Sequence, residues 1–73
     1  MTEEKFDRMY EGRFDALQKK YEADIAVAKT ELDTYFQLSV GVAEHPHVIE
    51  SMDLLVEQMA NAQEKLELLL KEF

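Results

Sequence analysis

At 73 residues and 8.5 kDa the chain has room for one small domain. It is 47% hydrophobic and 33% charged, so it can fold, while two Gly and one Pro are too few for the turns of a sandwich or barrel and the lack of Cys removes disulfides, thiolate metal sites and cysteine nucleophiles. A net charge of −8 opposes direct contact with a phosphate backbone, and no apolar run approaches the roughly 18 residues of a membrane span.

The first predicted element is a helix over about residues 2–38. Thr2 is a candidate N-cap, and Glu3, Glu4 and Asp7 sit where the positive end of the helix dipole favours carboxylates. The apolar stripe Phe6, Tyr10, Phe14, Leu17, Tyr21, Ile25, Ala28, Leu32, Tyr35 averages close to the 3.6-residue period of a straight helix. Glu4 with Arg8 and Asp15 with Lys19 form acid-first i, i+4 pairs. Gly12 falls mid-helix, either to let another helix approach or at a cost of about 1 kcal/mol relative to Ala.

A turn is expected over about 39–45. Gly41 suits the positive φ of a helix C-cap, Pro46 suits the first turn of the next helix, and the residue before proline is pushed out of the α region, which sets His45 at the boundary. A second helix over about 46–72 follows. Val48, Met52, Leu55, Met59, Ala62, Leu66, Leu69 and Phe73 alternate steps of four and three, an unbroken heptad repeat. Ile49, Val56 and Leu70 widen the stripe beyond what one neighbouring helix needs, while Glu50, Glu57, Glu64 and Lys71 hold the opposite face.

The expected fold is therefore all-α, one domain over 1–73 folded as an antiparallel helical hairpin, since so short a joint returns the chain beside itself. A continuous rod, paired as a swapped dimer, is the competitor, opposed by Pro46 in a helix interior. With the fold-back near Val42, Leu38 lies level with Pro46 and Phe14 with about Leu70. Residues 3 to 10 then run past the second helix, leaving Phe6, Met9 and Tyr10 without a partner in the chain. The wide stripes and the small core point to a homo-oligomer, most simply two hairpins in a four-helix bundle. The expected oligomer interface comprises Phe6, Met9, Tyr10, Phe14, Met52, Leu55, Met59, Leu66 and Leu69.

Charge is uneven. Residues 1–29 hold six Lys/Arg against seven Asp/Glu, net −1, and residues 30–73 hold two against nine, net −7. Glu50, Asp53, Glu57 and Glu64 lie along one side of the second helix, either as a solvated face or as a surface for a basic partner. They do not resemble a di-iron site, because no inward Glu has a His three residues on within the helix. Glu44, His45 and His47 are metal-ligand types, but they straddle the joint, and a structural zinc site needs four ligands. The expected role of Gly41, His45 and Pro46 is the turn, with a metal held across subunits as the alternative for the Glu44-His45-His47 segment. Ser39 and Ser51 lack a base with an orienting group, and no Gly-rich phosphate loop is present, so neither enzyme activity nor a cofactor is expected.

The stretch VGVAEHPHVIESMDLLVEQMANAQEKLELL, Val40 to Leu69, resembles the C-terminal part of small uncharacterised helical proteins of tailed bacteriophages, cyanophages among them. In those a V-G-(small)-E-H segment precedes a heptad-bearing helix; His47 departs from the acidic or Ser residue that would open such a helix. The resemblance implies a phage-encoded protein acting in the host cytoplasm, and it implies no activity. The expected function is a non-enzymatic oligomeric interaction or assembly module. Its partner is a second copy of itself, with a host or phage protein as a further one, and no membrane or direct nucleic-acid contact. The alternative is an acidic inhibitor or decoy that occupies a basic surface of a host protein.

Overall fold

The computed structural model describes the backbone of residues 2–38 and 46–73 and the side chains of residues 8–38 and 47–73. Two helices make up the described chain: α1, Thr2–Phe36, and α2, Pro46–Glu72. The assembly of the two is a narrow rod, 63 × 17 × 13 Å. The Thr2 side chain, the Glu4 carboxylate and the joint residues Gly41, Glu44 and His45 lie outside the described residues, so the cap, the first ion pair and the turn geometry are not part of the structure described here.

α1 stops at Phe36, two residues short of the expected end. Its last turn tightens: the Gln37 N–H is shared between the Asp33 and Thr34 carbonyls at 3.2 Å each, and the Leu38 N–H donates to Tyr35 at 3.2 Å. Just before it, the Thr30 and Thr34 hydroxyls donate back to the Ala26 and Thr30 carbonyls at 2.8 and 3.0 Å. On its outer surface Lys19 meets Asp15 at 2.8 Å and Lys20 meets Asp24 at 3.0 Å. The hydrogen bond and charge of Asp15 raise the Lys19 ammonium above its ordinary pKa.

The helices run antiparallel. The Tyr10 hydroxyl, near the start of α1, donates to the Phe73 carbonyl at the end of α2, 2.9 Å away. This corrects the expectation that Tyr10 has no partner in the chain; the overhang of α1 begins one residue earlier. The same bond sets the register: 10 and 73 sum to 83, so Phe14 lies level with about Leu69, Tyr21 with Ala62, Ala28 with Leu55 and Tyr35 with Val48. Each layer sets a large side chain against a smaller one or an aliphatic one, which lets two helix axes stay close without a void. Ala28, Val48, Leu55, Ala62 and Leu69 are the buried apolar side chains of this seam, and no described polar side chain is buried with them.

α2 keeps the heptad frame from Val48 to Leu69, with Val48, Leu55, Ala62 and Leu69 buried and Met52, Met59 and Leu66 half-buried. Phe73 continues the spacing but follows the last helical residue and is 72% exposed. In α1 the inward row is Phe14, Gln18, Tyr21, Ile25, Ala28, Leu32, Tyr35, again a heptad alternation rather than a 3.6-residue stripe. Gln18 is half-buried where Leu17 was expected, and Leu17 is exposed. The row from Phe14 to Tyr35 must match the 3.5-residue seam of α2, and a tyrosine or leucine one position off cannot follow it.

Gly12 has no positive φ, and a Cβ built there would meet no atom within 4 Å. No helix approaches it, so the residue carries only its propensity cost. Gly12→Ala is expected to stabilise the protein by about 1 kcal/mol, read as a rise in thermal midpoint. In the seam, Leu55→Asp buries an unpaired carboxylate and costs several kcal/mol in urea unfolding. Leu66→Asp costs less, because Leu66 is half-buried, and exposed Glu57→Ala stays within about 0.5 kcal/mol. Equal effects at the three positions contradict the frame.

Candidate association surface

A hairpin of two helices has two broad faces, and the side chains flanking the seam decide their character. Stepping 100° per residue from Ala28, Asp24 and Val27 fall to one side of α1, and Ile25 and Leu32 fall to the other. From Leu55 on α2, Gln58 and Asn61 fall to one side, and Met52, Val56 and Met59 to the other. The structure joins these sides in a definite way. Asp24, Val27, Gln58, Asn61 and Lys65 line one shallow groove of about 350 Å³, so they share the first face. That face is polar, and its exposed apolar residues, Val27, Leu54 and Leu68, are interspersed among charged and amide groups.

The second face is apolar on its α2 side, while on α1 the exposed Asp15, Glu22 and Lys29 stand beside Ile25 and Leu32. Half-buried Ile25 and Leu32 of α1 and Met52, Met59 and Leu66 of α2 leave part of their surface open there. Beside them along α2 stand Ile49, Val56 and Leu70, exposed at 68%, 50% and 53%. The row is interrupted only by Gln63. At its turn end Phe36 is 70% exposed. At the open end of the hairpin Tyr10, Arg13, Phe14, Leu17, Leu69 and Phe73 surround an apolar cleft of about 190 Å³, with the Tyr10 and Phe14 rings stacked at 6.4 Å.

The expected interface residues divide on this map. Met52, Met59 and Leu66 lie at the edge of the apolar face, half-buried. Leu55 and Leu69 are at most 8% exposed inside their own hairpin and have little surface left for another chain. Phe14 is half-buried, Met9 and Tyr10 are exposed at the open end, and the Phe6 side chain lies outside the described residues. Ile49, Val56 and Leu70, which widen the stripe in the sequence, are each at least half exposed on this face and join the candidate association residues.

Glu50, Asp53, Glu57 and Glu64 are all exposed, and the His47 Nδ1 lies 3.6 Å from the Glu50 carboxylate. Among the described residues no group of three or more His, Asp or Glu is placed to hold a metal, and no helix is long and apolar enough to cross a membrane. The comparisons with family models, curated proteins and solved structures gave no match to this chain.

Proposed function

We propose that the chain is a non-enzymatic helical module that works by associating with itself, two hairpins burying their apolar faces in a four-helix bundle. The observation that carries this is the exposed area. A folded monomer of this mass is expected to expose about 4,700 Å². The hairpin exposes 6114 Å². The excess is about 1,400 Å² per chain, and two chains that hide it from one another bury about 2,800 Å², within the range of obligate dimers. The apolar row Ile49, Val56, Leu70 supplies the surface with which to do so.

A bundle of this kind serves as an adaptor, an assembly factor or a subunit of something larger. The likeness of Val40–Leu69 to small phage proteins supports a phage origin and work in a host cytoplasm. The exposed acidic side of α2, with no cation between Lys29 and Lys65, favours a second reading, a decoy for a basic host surface.

Sedimentation equilibrium at micromolar concentration separates the two. Self-association gives at least twice the chain mass and survives molar salt, because its contact is apolar. The double variant Val56→Glu, Leu70→Glu is expected to fall to monomer mass with most of its helix content kept, since neither residue lies in the seam. A folded monomer across the concentration range rejects self-association and leaves the acidic face as the surface to pursue.

A further inference from the structure

We propose that the surface covering α2 is the α2 of the second copy: the two α2 helices lie antiparallel against one another along Ile49, Val56 and Leu70, and the two α1 helices share the opposite edge of the bundle. The inference rests on the self-association reading and names the part of the partner that fills the face. A second copy is the occupant because the area two chains hide from one another, about 2,800 Å², is that of an obligate dimer.

The two helices present equivalent positions to this face and fill them with different residues. Moving outward from the seam, each shows first a half-buried row, Gln18, Ile25 and Leu32 on α1 and Met52, Met59 and Leu66 on α2. The next row is exposed on both. On α1 it reads Arg8, Asp15, Glu22, Lys29 and, at the turn end, Phe36; on α2 it reads Ile49, Val56, Gln63 and Leu70. The open apolar area therefore leans to α2. If the second copy offered its α1, Asp15, Glu22 and Lys29 would lie along these aliphatics, and each contact would strip water from a charged group whatever its sign. Its α2 sets aliphatic on aliphatic instead. The charged rows of the two α1 helices then fall together along the far edge, where water reaches them. Asp53 and Glu67 stand outside the aliphatic row of α2, with Ala60 between them, all exposed. They stay at the rim, where repulsion between like charges is weak and screened by salt.

Symmetry and spacing fix the rest. A two-fold axis that lays one broad face on the other and sets α2 on α2 runs across the bundle, so the α2 helices are antiparallel and the turns lie at opposite ends. Reversed on itself, the row matches Ile49 with Leu70 and Val56 with Gln63, centred between Met59 and Ala60. A shift of one heptad either way leaves Ile49 or Leu70 without a counterpart. The register set by Tyr10 and Phe73 places that centre level with Ala23 and Asp24 of α1.

The chain has no Cys, so single spin labels can be placed at Gly12→Cys and, separately, at Gln37→Cys, both exposed on either side of that centre. Mass is measured on the same samples. The expected result is a dimer whose labels lie about 35 Å apart along the axis at position 12 and about 40 Å apart at position 37. A mixture of the two labelled chains is expected to add a third distance under about 30 Å, a bundle diagonal plus the label tethers, because position 12 of one copy comes level with the turn end of the other's α1. Packing of α2 on the second copy's α1 reverses this order, with both same-site distances short and the mixed one long. Any dimer without the long, long, short order overturns the α2-on-α2 pairing and leaves self-association standing. Monomer mass overturns both, and a mass above two chains overturns the pairing of two copies.

Discussion

Two helices touch along one line, and that line covers only one stripe on each. The second helix of this chain is apolar over three heptad positions, of which a single antiparallel neighbour buries one and half-covers another. The third, Ile49, Val56 and Leu70, is left in water. Every other feature of the molecule follows from this mismatch between the width of the apolar surface and the reach of one partner helix. Among the described residues the buried core is five small or aliphatic side chains, which for a chain of 73 residues is a thin basis for independent stability.

What the seam does achieve is alignment. Ala28 opposite Leu55 and Tyr21 opposite Ala62 match volume across the interface, and the Tyr10 hydroxyl fixes the far end of the register on the Phe73 carbonyl. With register fixed, the two broad faces acquire separate characters. One gathers Asp24, Gln58, Asn61 and Lys65 around an open groove, and the other gathers methionines and branched aliphatics. A one-residue slip would rotate charged side chains into the seam, so the hairpin's packing and the composition of its outer face are a single constraint.

Much of this was readable from spacing. The heptads of α2 carry only apolar residues at the seam positions, and the structure follows them from Val48 to Leu69. α1 was less legible because Gln18 occupies an inward position: a polar residue gives no apolar signal, and neighbouring Leu17 diverts the count by one. Phe73 kept the spacing but follows the last helical residue, so its side chain leaves the seam and is 72% exposed although Tyr10 of α1 lies opposite. The end of α1 was misplaced by two residues because the i→i−3 bonds at Gln37 and Leu38 leave no mark on side-chain periodicity. The residues of the proposed association surface were only partly legible. Periodicity identifies which residues avoid water, but it does not divide them between the partner helix and a second chain. That division came from burial, which assigns Leu55 and Leu69 to the hairpin and exposes Val56 and Leu70.

The central claim is that the hairpin depends on a second copy of itself to cover its apolar face. If folding and association are coupled in this way, mass action makes the thermal midpoint rise with chain concentration. Circular dichroism melts at chain concentrations from a few micromolar to several hundred micromolar test this directly. The account predicts a midpoint that climbs steadily across that range. A midpoint independent of concentration, with a cooperative transition at every point, would show a hairpin stable alone and contradict it.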